Sequence, residues 1–526
     1  MARTQLARMV GAMFAERDES RGISRRAFLA RGTALGVGAL ALGSLPAAAA
    51  KPQRIVIVGA GISGLAAALA LQDKGIKASV YEANRRVGGR MFSTVPGSYW
   101  AAGQVSEWGG ELIDTDHTVI QDLATRFRLP LDDLQAAMPT GSTDTYQFNG
   151  HYYPYARAKA DFQPVYDALQ KDLASFDYPV TYDSDASPAG IALSNMTAYD
   201  WIESRVPGGH RSLFGTLLDV AYNIEYGAQT TAQTALGLIG LLGYQNAPGD
   251  FDMFGTSDER YHIRGGNQQL PKAIAAALPP DAITFGWRLT ALAVNPDNTQ
   301  TLTFDVNGVT RTVTADHTVL AVPLGVMKRI DFAHARFDAR KRGAYAAMPM
   351  GVNGKLQLQF DSRLWNGTGA WPGRSTGESY ADTGYQNTWE VSRAQPGSQG
   401  ILVDFIGGDV ARSFTPGHAF GSSEDPTIRA YARRFLGQIE PVYPGLSKLW
   451  NGKALLSTWY LNPYSYGSYS YWPPDYCQHY AGYEGVRQGN VHFAGEHCSV
   501  DYQGYMEGGA EEGQRAAGEI IADLGR

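Results

Sequence analysis

Cysteine is almost missing from this chain: Cys477 and Cys498 are the only two among 526 residues. Two cannot build a disulfide framework or a cysteine-based metal cluster, which leaves either one bridge in an oxidising compartment or two unpaired thiols. Zinc-ligand runs, hydrolytic triads and nucleic-acid motifs are absent too, and no metal site is expected. Beyond residue 50 there is no internal repeat, no low-complexity segment, and no apolar run near the ~20 residues that cross a bilayer. What is present, 44% hydrophobic residues over this length, suffices for a large core and two or more domains and excludes disorder as the default.

The N-terminus has its own character. "SRRAFLARG" sets Arg25 and Arg26 side by side ahead of Phe28 and Leu29, and "TALGVGALALGSLPAAAA" follows. That run is short, rich in Gly and Ala, and ends in small residues suited to cleavage. Residues 1–50 therefore read as a twin-arginine export signal rather than a membrane span or a basic amphipathic helix of the fold. The expected location is periplasmic or secreted, by a route suited to proteins already folded around a cofactor. The signal's seven arginines outnumber its three acids, so removal takes the formal net charge from −6 to −10. An acidic protein is a poor partner for nucleic acid or anionic membrane; it suits cationic substrates, although most such charge is simply solvated.

The mature chain opens on "RIVIVG", a continuous β-branched strand, then helical "SGLAAALALQDKG", then the strand "ASVYEA": a βαβ unit. In "GAGISG", Gly59 permits the tight turn, Gly61 lets the backbone approach a pyrophosphate, and Gly64 lets helix pack closely on strand. Ile62 and Ser63 open a helix whose aligned N–H groups favour an anion. Glu82 closes the second strand, with Ala83 after it, where a carboxylate accepts ribose hydroxyls and disfavours a 2′-phosphate. "RRVGGR" adds Gly88 and Gly89, which let the chain run close against a large cofactor, and Arg90, placed for phosphate or flavin. Further on, "TVIQDLATRF" and "DFQPVYDALQKDLASF" are helical, "YHIRGGNQQLPKAIAAAL" is a loop entering a helix, and "DVNGVT" marks a hairpin turn. The C-terminal stretch reads as strand, loop and long helix.

In order and spacing, "GAGISGLAAA…YEANRRVGGR", "EWGGELID", "YHIRGGNQQLP", "VLAVPLGVMKRIDF", "GVNGKLQLQF" and "VHFAGEHCSVDYQGYMEGGAEEGQRAA" resemble the flavin-containing amine oxidase superfamily, here as an exported bacterial member. That superfamily includes monoamine and polyamine oxidases, histone lysine demethylases and L-amino acid oxidases, and the resemblance spans nearly the whole mature chain. It implies FAD as the dinucleotide and an α/β fold. A Rossmann-type FAD-binding domain would be assembled from residues 51–120, 262–345 and 455–526, and an α+β substrate-binding domain from 121–261 and 346–454. It also implies FAD contacts from Gly109, Gly110 and Glu111, from Gly495 and Glu496, from Gly504, Tyr505 and Met506, and from Leu289 near the adenine. Leu289 reads equally well as an ordinary core strand residue.

Such enzymes take a hydride from the carbon bearing an amine; the cofactor does the hard step while the protein positions and tunes. The resemblance assigns Lys355 to hold a water against the flavin, with Lys328 left as a surface residue. It makes Tyr505 one wall of an aromatic cage whose electron-rich faces favour an amine. Tyr466, Tyr469, Tyr471 and Tyr502 are candidates for the rest of that cage or for a tyrosine-rich core edge. Gly467 stands where monoamine oxidases carry the cysteine that tethers FAD, so FAD is expected to be non-covalent, and Cys498 belongs to another segment. L-amino acid oxidases commonly carry an arginine two residues after "GGR" that clamps the substrate carboxylate, and often a tryptophan where Tyr505 stands. Here the first position is Phe92, which favours an amine unless another arginine, such as Arg264, substitutes. Glu111 and Asp114 border the expected cleft, where Asp114 could bind a distal ammonium. Alternatively Glu111 pairs internally and Asp114 caps the following helix.

The leading expectation is FAD-dependent oxidation of a primary or secondary amine, di- and polyamines included, to an aldehyde or ketone plus ammonia or amine. Hydrogen peroxide follows if dioxygen is the acceptor and not if a periplasmic electron carrier is. The alternative is an L-amino acid oxidase giving a 2-oxo acid, ammonia and hydrogen peroxide. A carotenoid-type desaturase gives no reason for Lys355 with Tyr505, and a non-enzymatic scaffold would bind FAD that no amine reduces. Homodimerisation rests on the resemblance alone.

Overall fold

The computed structural model describes residues 53–526, so the expected export signal lies outside the described residues. Strand β1 (Ile55–Val58) is buried along its whole length, as its unbroken β-branched run requires. The chain turns at Gly59, φ +103°, into helix α1 (Ile62–Asp73) and returns as β2 (Ala78–Glu82), parallel to β1. Strands β3 (Ile283–Phe285), β4 (His317–Leu320) and β5 (Val491–Phe493) complete a five-stranded parallel sheet in the order β5-β4-β1-β2-β3. The sheet thus gathers segments from both ends of the chain, and the C-terminal helix α2 (Met506–Asp523) packs on α1.

Small residues set that helix contact. A Cβ at Gly513 would stand 2.1 Å from the Ser63 carbonyl oxygen of α1, and where α1 meets the turn after β1 a Cβ at Gly64 would stand 2.0 Å from the Gly59 carbonyl oxygen. The backbones therefore meet with no room for a methyl group.

A three-stranded antiparallel sheet covers residues 288–315, and its hairpin turns at Asn307 and Gly308, both with positive φ, as "DVNGVT" predicts. The largest sheet has eight strands in the order Phe420–Ser422, Trp450–Thr458, Asn353–Phe360, Gly400–Gly407, Asn387–Glu390, Arg374–Ala381, Ser142–Phe148 and His151–Tyr153. Its pairings are antiparallel except that between Arg374–Ala381 and Ser142–Phe148. Asn353–Phe360 runs inside it, buried at all eight positions. The fold is α/β, a parallel sheet of the dinucleotide-binding kind joined to a large mixed sheet.

Two local expectations resolve here. The helix Thr118–Arg126 is not capped by Asp114: its N-cap is His117, which makes no side-chain capping bond. Glu507, at the start of α2, accepts the Val119 and Ile120 N–H groups at 2.7 and 2.9 Å instead. A carboxylate supplied from another helix meets the positive end of this one. Cys477 and Cys498 are both buried and no disulfide joins them. No helix among the described residues is long and apolar enough to cross a membrane.

The glycine contact makes a paired test. Gly513→Ala should lower stability by about 1–3 kcal/mol, because the clash is with backbone that cannot swing aside. Gly518→Ala, on the same helix with nothing within 4 Å of its Cβ, should raise it by about 0.5–1 kcal/mol. Thermal unfolding of the two variants beside the parent checks both signs.

Candidate active site

The turn after β1, the start of α1, the end of β2 and the loops before α2 border a cavity of about 300 Å³. Gly59, Gly61, Ile62, Ser63, Glu82, Ala83, Gly88, Gly89, Arg90, Gly109, Gly110, Glu111, Leu289, Gly495, Glu496, Gly504, Tyr505 and Met506 all line it. Leu289, besides lining the cavity, is a buried strand residue. Gly64 does not reach the cavity and serves close packing, as its place in the motif predicts.

The chemistry of this end fits a dinucleotide. The N-cap of α1 is Gly61, without a side-chain cap and without an acid in the first turn, so its N–H groups face the cavity uncompensated. Nothing stands nearer than 3.9 Å to a Cβ built on Gly61 except Gly61's own neighbours, which leaves the backbone open to a close ligand. Glu82 accepts N–H bonds from Ala60 and Asn84, both 2.7 Å, which fixes its carboxylate at the cavity wall. Arg90 and Glu496 meet each other at 2.8 Å, and Arg90 also donates to the Ser468 carbonyl.

Further along, Lys355 enters from the strand Asn353–Phe360. Its Nζ donates to the Gly109 carbonyl at 2.8 Å and to Glu111 Oε2 at 2.6 Å, which engages two of its three N–H groups. Glu111 Oε1 accepts the Trp389 indole N–H at 3.0 Å. The internal pairing expected of Glu111 is therefore real, and its partner is the candidate lysine. Lys328, tied to the Met348 carbonyl at 2.6 Å, is a peripheral residue as expected.

Tyr505 lines the cavity as the N-cap of α2. Its hydroxyl lies 3.5 Å from Ser257 Oγ, which donates to Asp114 Oδ2 at 2.6 Å, while the Glu259 N–H donates to Asp114 Oδ1 at 3.0 Å. Tyr469 also lines it and donates to the Glu225 carbonyl.

Three predicted substrate residues lie elsewhere. Phe92 sits beneath the Arg86 guanidinium, 4.0 Å from its ring centre, and against Trp108 and Phe420. Its position does not border the cavity, so its identity says little about substrate carboxylates. Tyr466 lies under Arg329 at 3.6 Å. Tyr502 donates to Asp116 and packs edge-on to His117. Neither tyrosine lines the cavity, nor does Tyr471. Arg264 pairs with Asp132 and is 65% exposed, away from the cavity. Gly467 is pressed against Met350.

What sequence reasoning missed is a set of acids. Glu225, Glu259 and Glu378 line the cavity beside Asp114, from the helix Leu213–Tyr226, a loop, and the strand Arg374–Ala381. Burial pushes Asp114 up to about 6 and Glu225 up to about 8. Burial, then repulsion from Glu378, Asp114, Glu225 and Glu111, drives Glu259 well above the ordinary range. Glu378 is raised by burial and by Asp144. Glu225 is 3% exposed and its Oε2 has no hydrogen-bond partner. Lys355 is the one lysine on the cavity wall among the described residues, and Arg86, Arg90 and Arg288 are the arginines. Arg90 is held by Glu496 and Arg288 by Asp305.

Residues 62–521 match the family described as flavin containing amine oxidoreductase. Among curated proteins, mouse L-amino-acid oxidase is 24% identical over 90% of this chain and 72% of its own length. A zebrafish flavin-containing amine oxidase is 23% identical over 90% of this chain and 86% of its own. Among solved structures, cyclohexylamine oxidase from Brevibacterium oxydans IH-35A superposes with a TM-score of 0.74 at 24% identity, covering 90% of this chain and all of that one. Putrescine oxidase with putrescine bound gives 0.72 at 19% identity, covering 89% and 99%. With a match across most of its length, the chain belongs to the flavin-containing amine oxidoreductase family.

Proposed function

We propose that this enzyme oxidises an amine that carries a second cationic nitrogen, a di- or polyamine. The observation that carries this reading is the set of Asp114, Glu225, Glu259 and Glu378 on the cavity wall, with its one lysine already paired to Glu111. A second ammonium would give those carboxylates the counter-charge the protein withholds. A substrate carboxylate would meet four acids, while Arg90 and Arg288 are already committed to acids of their own and Arg86 to the Gly89 carbonyl and the Phe92 ring; this disfavours the L-amino acid reading.

FAD is the cofactor the family implies, and when bound it supplies the hydride acceptance that converts the amine to an imine, which water hydrolyses to a carbonyl compound. Gly59, Gly61 and the start of α1 would hold its pyrophosphate, and Glu82 a ribose. With Gly467 in the place of a tethering cysteine, attachment is non-covalent in this reading. Lys355, fixed by Glu111 and the Gly109 carbonyl, keeps one N–H for a water. Tyr505 and Trp389 offer aromatic faces to the neutral reacting amine. Asp114, through Ser257, orients the Tyr505 hydroxyl. The electron acceptor, dioxygen or a carrier, is set by none of these groups.

Mixing the FAD-loaded protein anaerobically with monoamines, diamines, polyamines and L-amino acids should bleach the flavin fastest with diamines or polyamines. Faster bleaching by neutral L-amino acids than by any amine would overturn the reading. Because the empty acids hold protons near neutrality, binding a non-oxidisable diammonium ion must release them. Its affinity should rise as pH climbs from 6 to 8, by up to about tenfold per pH unit for each proton released. Glu225→Gln should flatten that slope and weaken diammonium binding at least tenfold at pH 8, leaving monoamine reduction within a few-fold.

The same variant carries a stability test with a definite sign. The Glu225 proton is held about 8 in the folded chain and near 4.3 when unfolded. The stability it contributes is complete below the unfolded value and is lost as pH rises through 8. Glu225→Gln should therefore lose less thermal stability than the parent between pH 5 and 9 in the absence of amine.

A further inference from the structure

The cavity lies at the carboxyl ends of the parallel strands, where Ala321 follows β4 and Gly495 follows β5. Toward the opposite end sits a second group of chemistry-bearing side chains that the oxidation does not use. His317 opens β4, and His492 lies on the adjacent strand β5, in register with Val319. Glu519 and Asp523 project from the last turns of α2. The imidazoles are 7% and 0% exposed, whereas Asp523, at 32%, reaches solvent.

His492 Nδ1 lies 2.6 Å from Glu519 Oε2. A carboxylate can only accept there, which assigns a proton to Nδ1 and leaves His492 Nε2 as the nitrogen turned toward His317. That nitrogen stands 3.3 Å from His317 Nδ1, and Asp523 Oδ2 stands 3.9 Å from the same His317 atom. Two imidazole nitrogens bound tetrahedrally at about 2.0–2.1 Å to one ion stand about 3.3–3.4 Å apart. The observed pair already has that spacing, on two strands whose backbones are locked in one sheet.

We propose that His317, His492 and Asp523 form a binding site for a divalent cation of the zinc class, with solvent in the fourth position. Two imidazoles and one carboxylate select zinc, copper or nickel over magnesium or calcium. Glu519 is the outer partner that fixes ring orientation and raises the basicity of the ligating nitrogen. Arg487 holds Asp523 Oδ2 at 2.7 Å and Arg515 holds Glu519 Oε1 at 2.5 Å, as ligating and orienting carboxylates are commonly held. An ion here fastens the end of α2 to two strands, and the first turn of the same helix carries Met506 on the cavity wall.

The test uses untagged, FAD-loaded protein stripped with a chelator. Calorimetric titration with Zn²⁺ should show one equivalent bound, and Co²⁺ should develop the visible absorption of a four-coordinate N/O site, with the flavin spectrum unchanged. Mg²⁺ should give no heat. His317→Gln and Asp523→Asn should each weaken Zn²⁺ at least tenfold. If His317→Gln loses its flavin, Asp523→Asn, at a partly exposed position, decides alone. Absence of Zn²⁺ binding, or one equivalent that survives Asp523→Asn unchanged, would overturn the site and leave the two rings as a plain imidazole–imidazole hydrogen bond.

Discussion

One buried carboxylate ties together the three chain segments that shape the active site. Glu496, 4% exposed, accepts from Arg90 at 2.8 Å, from the Ser470 hydroxyl at 2.8 Å and from the Gly504 N–H at 3.1 Å. Those partners belong to the glycine-rich stretch after β2, to the loop that carries Tyr469, and to the turn that presents Tyr505. Burial alone would push this acid up, but Arg90, His497 and the hydrogen bonds outweigh it and bring it below the ordinary range. It is therefore an ion, and a fully satisfied one, which is the condition under which a buried charge costs little. Without it Arg90 would lose its counter-charge and the three walls of the cavity would lose their common anchor.

The other acids on the cavity wall are treated in the opposite way. Glu496 is given an arginine and amide donors, whereas Glu225 keeps an oxygen with no partner and Glu259 faces four other carboxylates. The sites differ in what they must hold. A cofactor carries its own fixed set of charges and stays, so its cradle is best complete in advance. A substrate comes and goes, and a pocket that has balanced its own charge has nothing left with which to attract one. In the proposed reading, destabilised acids are the form that recognition of a second ammonium takes, and their cost is borne by the rest of the fold.

What the sequence disclosed follows the range of the interactions. The glycines of the turn after β1, the acid ending β2 and the Asn307–Gly308 hairpin depend on backbone conformation a few residues either way, and each is where its local pattern places it. Lys355 and Tyr505 came through motif resemblance, and the cavity they share is built by strands and loops distant in the chain. Nearness in sequence misled at Phe92, Tyr466 and Tyr502, because an irregular segment sends neighbouring side chains to different sides. The cap of the helix Thr118–Arg126 misled for a related reason: the local candidate was Asp114, but the acceptor is Glu507, 388 residues from Val119. Glu225 stands in the last turn of a mixed apolar and polar helix and reads as nothing special until the fold sets it on one cavity wall with Asp114 and Glu259.

Under the diamine proposal, the pairing of Lys355 with Glu111 sharpens the selectivity that these acids would confer. Were the lysine free, it would neutralise part of the cluster and repel an incoming ammonium, so one acid is committed to it and the others remain for the substrate. In water a pair of unit charges 4 Å apart is worth about 1 kcal/mol, and at the effective dielectric of a protein site about 4 kcal/mol. An alkyl monoamine enters this cavity with its reacting nitrogen neutral and gains none of that, while the acids stay protonated around it. A diamine of matching length delivers an ammonium to groups that ionise to meet it, and the gain is largest where water is most thoroughly excluded. In that proposal, the burial that makes these carboxylates expensive to keep is the same physical cause that would make a second charge on the substrate decisive.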